Sequence, residues 1–354
     1  MAYTTINKST DNFNTKIWAG TNSSGHAITG VGFQPDLLWI KARTNTSYHH
    51  LFDAVRGKNK LLYPNVTDAE STDSSSISSF DSDGFTLGSA GGGTNSGSNT
   101  FVGWNWKAGT TGSGTTTGSG TGKAYSYSVN TTGGFSIVKY LGNGSAGHTI
   151  PHHLGAVPKM IIVKRLDAGG SSWLVYHNSI GAEKILILDS TSAQVDNTFW
   201  NDTAPTSSVF SVGTQGDCNN SSGTYIAYCF AEKTGYSKFG SYTGNGNNDG
   251  TFVYTGFKPT FVLTKIYSAT DGWSLTDSVR DRAVVPNGAR LLGEQEQVEQ
   301  TNQTWALIEK FSNGFKIRGT DNVTNASGAN YIYMAIGQSI VGTNNIPATA
   351  SVSR

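Results

Sequence analysis

Three histidines within six residues, His148, His152 and His153, are the first group in the chain whose types and spacing could do chemistry. Imidazoles at that density could ligate zinc, but a zinc site needs a second ligand cluster at fixed spacing, and none follows. His148 aligns with His26 beside a turn, so these histidines read as surface turn residues, with no metal and no cofactor expected. Asp81 and Asp83 could form the carboxylate pair of a glycoside hydrolase, which holds its acids about 5–5.5 or 6.5–9.5 Å apart. The aligned positions elsewhere are Ser208, with no acid nearby, and Ser312-Asn313, and turn capping accounts for both acids. Asp53 with Arg56, echoed by Asp277 with Arg280, reads as a cross-strand or edge ion pair. No Gly-x-Ser-x-Gly elbow, phosphate loop or Cys/His dyad occurs. No catalytic residue is expected, and the chain reads as a non-enzyme. Of the eight tryptophans, most occupy the apolar phase of repeated strands, where packing is their default use. Trp200, in the polar segment Asn197–Asp202, is the candidate for an exposed, ligand-contacting aromatic.

The elements that must position these residues are repeated three times. Phe33-Gln34-Pro35-Asp36-Leu37-Leu38-Trp39-Ile40-Lys41 recurs as Leu154 through Pro158 to Lys164, and as Phe257-Lys258-Pro259 to Lys265. The proline-to-lysine spacing is six each time. Upstream, the segments beginning at Phe13, Phe135 and Tyr236 match. Downstream, Leu51–Arg56 answers Leu275–Arg280, and each copy closes on an aromatic strand: Phe101–Trp106, Tyr225–Phe230 and Tyr331–Ile336. Repeats of this kind set the architecture. The apolar run Leu37–Ile40 is continuous rather than alternating, which fits a strand covered on both faces or the centre of a sandwich. Asp83-Gly84, between Phe80 and Phe85, reads as a hairpin turn. Ala289–Glu299 has helix-forming composition, but its aligned partners are strands, so it reads as a strand running into a loop or short helical turn.

Composition narrows the class. The 354 residues carry 44 glycines, 16 Phe, 15 Tyr, 8 Trp and a formal net charge of +1. So many aromatics argue against disorder, and so little charge provides no field to draw nucleic acid or an acidic membrane. Two cysteines are too few for a disulfide framework. A hairpin disulfide is conceivable, but Cys229 reads as an inward strand residue and Cys218 as a loop thiol. The first residues have no secretory leader pattern, and no apolar run approaches the roughly 20 residues that span a bilayer, so neither secretion nor membrane insertion is expected.

Strands of four to eight residues with turn signals between them predict an all-β chain of three tandem antiparallel β-sandwich domains, jelly-roll or concanavalin A-like. Residues 1–108 form module one with a polar lead-in, 109–124 a Gly/Thr/Ser linker, 125–232 module two, 233–340 module three and 341–354 a polar tail. The linker composition predicts a flexible coil. Modules two and three are then expected to pack as one unit, with module one hinged.

Gly30–Lys41, Ser82–Gly88, Tyr225–Glu232 and the connector Gly235–Gly246 resemble modules of structural proteins from tailed bacteriophages, of the marine phage and cyanophage type. The likeness covers nearly all of the chain outside the termini and the linker, and it departs at Asp281–Glu299. It implies a tail-fibre-like or otherwise virion-associated protein with concanavalin A-like sandwiches, and it transfers no catalytic or binding residues. The expected function is a fibre, spike or appendage component of the virion, contacting host-surface polysaccharide or other virion proteins. It is expected to form a homo-oligomer, a trimer by cyclic symmetry. A sandwich-fold polysaccharide depolymerase, a capsid-surface decoration protein and a lectin without virion attachment are the alternatives.

Overall fold

The computed structural model describes residues 3–89, 91–281, 288–301 and 305–342. The fold is all-β, built of antiparallel sheets in which one strand order occurs three times. The inner sheet of the first repeat runs Phe13–Ala19, Thr100–Trp106, Leu37–Ala42, His50–Asp53. The second repeats that order with Phe135–Leu141, Thr224–Ala231, Pro158–Arg165, Leu174–His177, and the third with Ser237–Thr243, Asn330–Gln338, Lys258–Ile266, Trp273–Asp277. A smaller outer sheet faces each: His26–Ile28, Gly84–Leu87, Ile77–Asp81 in the first, and Phe252–Tyr254, Gly314–Arg318, Leu307–Phe311 in the third. Asp81 pairs with Gly84 across a two-residue hairpin, as Asp83-Gly84 suggested. Leu291–Leu292 is a short strand leading into irregular chain.

The continuous apolar runs follow from how the sheets are covered. Successive strand side chains point to opposite faces. Leu38 and Ile40 fill the space between the two sheets of the first repeat. Ile161 and Val163 do so in the second, and Val262 in the third. The alternate residues Leu37, Trp39, Met160, Ile162, Phe261 and Leu263 meet in one further core common to all three repeats. Trp104 and Trp106 lie against Phe261 there, with ring centroids 5.9 and 6.0 Å apart. Each inner sheet is therefore buried on both faces, one within its own sandwich and the other against its two neighbours.

Hydrogen bonds show that the three repeats close into a ring. The Glu70 amide donates to the Leu166 carbonyl at 2.9 Å, Gln194 to Tyr267 at 3.0 Å, and Glu299 to Arg43 at 2.7 Å. The three acceptors each lie two residues beyond the repeated lysine. The first repeat thus reaches the second, the second the third, and the third the first.

Two expectations are corrected here. Residues 109–124, read as a flexible coil, carry the strands Thr110–Thr115 and Thr117–Gly118. The first pairs with Ala124–Asn130, which extends the second repeat's inner sheet, and the other pairs with His148–Pro151 of its outer sheet. Threonine suits an edge strand, and the glycines make room for Tyr125 and Tyr127, whose rings lie across Gly114 and Gly112. Nor is the first repeat hinged: Trp39, Trp104 and Trp106 sit in the common core. The polar tail lies outside the described residues from 343 onward, as does the 282–287 part of the divergent stretch in the third repeat.

Candidate functional site

Two of the groups that could have done chemistry, Asp53 with Arg56 and Asp277 with Arg280, lie at the junctions between repeats. Arg56 Nε donates to Asp53 Oδ2 at 2.5 Å with both side chains fully buried, and Arg56 Nη1 reaches Glu70 at 3.2 Å. The Tyr228 hydroxyl of the second repeat donates to the same Asp53 oxygen at 2.7 Å. In the third repeat Arg280 Nε donates to Asp277 at 2.5 Å, Arg280 Nη1 reaches Glu299 at 3.1 Å, and Trp104 Nε1 of the first repeat donates to Asp277 at 3.0 Å. Arg43 also forks onto Glu299 at 2.9 and 2.8 Å. The middle repeat has His177 at this position, its Nε2 at 3.2 Å from the Tyr333 carbonyl. Because Nδ1 accepts the Ser179 amide, Nε2 carries the proton and donates. These are buried ion pairs between residues three apart, wedged between modules, and not cross-strand or edge pairs. Burial works against the Asp277 carboxylate, but Arg280 overcomes it and holds the acid below its usual range.

The position four residues earlier closes the junctions a second time. Trp173 Nε1 donates to Tyr63 O at 3.1 Å and Trp273 Nε1 to Ile187 O at 2.9 Å. His49 takes that place in the first repeat. It accepts Trp39 Nε1 at Nδ1 (2.8 Å), so its Nε2–H donates to Leu292 O at 3.1 Å. The repeated lysines belong to the same region. Lys164 Nζ donates to Thr67 O and Ser171 O, and Lys265 Nζ to Thr191 O and Asp271 O. Lys41 Nζ caps Ala42 O and Asn45 O of its own repeat. Burial pulls all three amines down to about 8, against the opposing pull of nearby carboxylates. An amine in that range could serve as a nucleophile, but each of these is fully buried with carbonyls on its protons, so it has no route to a substrate.

The remaining candidates have structural partners of their own. Asp83 accepts the Gly30 and Gly32 amides at 2.9 and 2.7 Å, which lower its pKa, while Asp81 accepts the Thr86 hydroxyl at 2.7 Å. His148 is buried and not a surface residue. Its Nδ1 is 3.0 Å from Asn219 Oδ1, and its Nε2 is 2.6 Å from the Thr116 hydroxyl. His152 is also buried, with Nε2 on Thr206 O, whereas half-buried His153 stacks on Tyr127 with centroids 3.7 Å apart. Among the described residues no group of three or more His, Cys, Asp or Glu is placed to hold a metal ion. Trp200, expected to be exposed, is 1% exposed and edge-on to Tyr176 and Phe210. Its polar flanks turn at the surface while the indole fills the second sandwich. Cys218 and Cys229 are free and buried, Cys218 in a one-turn helix, Gly216–Asn219.

Two features escaped the sequence reading. Asn95, Asn219 and Asn325 are buried, and each amide spans three loop segments. Asn219 Nδ2 donates to Gly213 O and Ser145 O while its Oδ1 accepts the Asn143 amide. Asn325 does the same with Gly319 O, Asn247 O and the Asn245 amide, and Asn95 with Gly88 O, Ser23 O and the Thr21 amide. Each lies six residues before the aromatic that opens the closing strand, a spacing that could have revealed it. The other feature is an exposed aromatic edge in the third repeat. Tyr254 is 62% and Phe252 44% exposed, with Tyr3 close by, its hydroxyl on Gly256 O.

A family model described as a domain of unknown function, DUF7483, matches residues 8–339, so the chain belongs to that family. No curated protein and no solved structure matches it.

Proposed function

We propose that this member of the DUF7483 family is a structural component of a bacteriophage particle, a fibre, spike or appendage part that contacts the host surface or a neighbouring virion protein. The closed ring carries this reading. Three sandwiches share one core, and the ionisable groups buried at the junctions are engaged in holding the sandwiches together. Such an object is rigid, weakly charged and hydroxyl-covered, which suits a part that projects into solvent and makes many weak contacts whose avidity comes from copy number. No catalytic role is included in the reading: the three repeated lysines are sealed by carbonyls and the junction carboxylates by ion-pair partners. Phe252 and Tyr254 are the residues we assign to contact with host polysaccharide, because exposed rings can stack on a sugar face.

The test is to probe purified particles of the encoding phage with an antibody to the chain, by immunoblot and by immunogold microscopy. Label on the tail or on an appendage is the expected result. A chain absent from washed particles would overturn the reading, and so would release of new reducing ends from host envelope polysaccharide.

A further inference from the structure

We propose that strand Thr110–Thr115 is a pairing edge for a second copy of this chain, joining two rings through one continuous sheet across a twofold axis. The three repeats allow a comparison of equivalent edges. In the first and third, the inner sheet ends at Phe13–Ala19 and Ser237–Thr243. Each carries a lysine, Lys16 or Lys238, and in the third repeat the outward Phe239 amide is capped by the Glu232 carboxylate at 3.4 Å. Charges on an edge and capped amides are how sheets avoid pairing with other chains. The second repeat has no such guard. Its sheet is carried two strands further, to Thr110–Thr115, in a stretch without a charged residue between Ala108 and Gly122. Five of the six residues are exposed. Among the described residues, the backbone of this strand bonds only to Ala124–Asn130 on its inner side.

The sequence Thr111-Gly112-Ser113-Gly114-Thr115 matches itself when reversed. Directly opposed residues in an antiparallel pair lie on the same face. With Ser113 on the twofold, Ser113 meets Ser113, Thr111 meets Thr115, and Gly112 meets Gly114. Threonine pairs favour such a ladder. On the glycine face the phenols of Tyr127 and Tyr125 already reach across the strand: a side chain at Gly112 or Gly114 would meet their hydroxyls at 2.6 or 2.8 Å. That face is therefore flat, and the rings stand ready to cover the partner's glycines. The result is a twofold dimer and not the trimer expected from sequence, since threefold order already exists within one chain.

The test uses the full chain with Ser113→Cys, Ser113→Lys and Ser113→Asp variants. Both native cysteines are buried, so mild oxidation of the Ser113→Cys protein should give a disulfide-linked dimer, and a Thr121→Cys control should not. In sedimentation velocity the unmodified chain should show a concentration-dependent dimer. Ser113→Lys and Ser113→Asp should each be monomeric, and an equimolar mixture should recover the dimer. A chain monomeric up to the solubility limit would overturn the proposal. So would a dimer that Ser113→Lys leaves intact, cross-linking no better than the Thr121→Cys control, or pairing only with a different virion protein.

Discussion

Trp104 Nε1 donates to Asp277 Oδ2 at 3.0 Å, although the two residues lie in the first and last repeats of the chain. That bond closes the ring from the far side. Asp277 is fully buried, so it needs both this donor and Arg280. Removing either partner of a buried charge leaves the other desolvated and alone.

Asp277→Ala is therefore expected to lower unfolding stability by about 3–5 kcal/mol, and Asp53→Ala by a similar amount. Urea denaturation monitored by tryptophan fluorescence checks this, because Trp104 lies at the junction. A loss below about 1 kcal/mol, the range of exposed pairs, would count against burial of these ions.

Acid should weaken the ring through its buried histidines. Burial lowers His49 to about 3 and His50, His152 and His177 to about 4, whereas an unfolded histidine takes its proton near 6.5. The unfolded chain thus binds more protons between these values, and stability falls as pH drops from about 6.5 toward about 4. The slope is about 1.4 kcal/mol per pH unit for each histidine. His177→Gln should remove one histidine's share of that slope, about 1.4 kcal/mol per pH unit, between pH 6 and 5, as read from urea midpoints. An unchanged slope would contradict the assignment.

The segment 109–124 should resist proteolysis. Its strands pair with both sheets of the second repeat, and the Thr116 hydroxyl is hydrogen-bonded to buried His148. Limited digestion with a broad-specificity protease is expected to leave this segment uncut while the chain is native. Early cleavage there into a fragment of about 110 residues and a larger remainder would restore the flexible linker.

This segment shows where the sequence could be read and where it could not. The proline-to-lysine runs were legible because their apolar residues are spaced by local geometry, and they gave the all-β class and its threefold repetition. The ring was not legible, because a run buried on both faces looks the same whether the second face meets a neighbouring sandwich or its own. Gly/Thr/Ser composition describes a free chain, and it became strand through pairing with Ala124–Asn130. Trp200 and His148 were misplaced for one reason: polar neighbours in sequence say nothing about the cavity a side chain enters. Asn219 was missed because an amide carries no signal until its three loops are brought together.

Asn219→Ala should cost on the order of 1–3 kcal/mol for each buried group left unpaired, with Gly213 O and the Asn143 amide the principal losses. The same change at Asn325 should act alike. Thermal midpoints of the two variants provide the check, and a shift within error of the unmodified chain at both positions would show that the amides are dispensable.

At the exposed edge, Phe252→Ser with Tyr254→Ser should abolish adsorption to host envelope polysaccharide and leave the unfolding midpoint almost unchanged, since both side chains face solvent. Co-sedimentation with host envelopes measures the first effect and urea unfolding the second. Undiminished adsorption would move the contact surface elsewhere.

The ring itself is tested most directly by a double-mutant cycle between Trp104→Phe and Asp277→Asn, with unfolding free energies measured for the four chains. A donor lost to a buried carboxylate should appear as a coupling of about 1.5–3 kcal/mol. Additive effects, with coupling indistinguishable from zero, would mean that the first and third repeats do not meet, and the closed ring would be wrong.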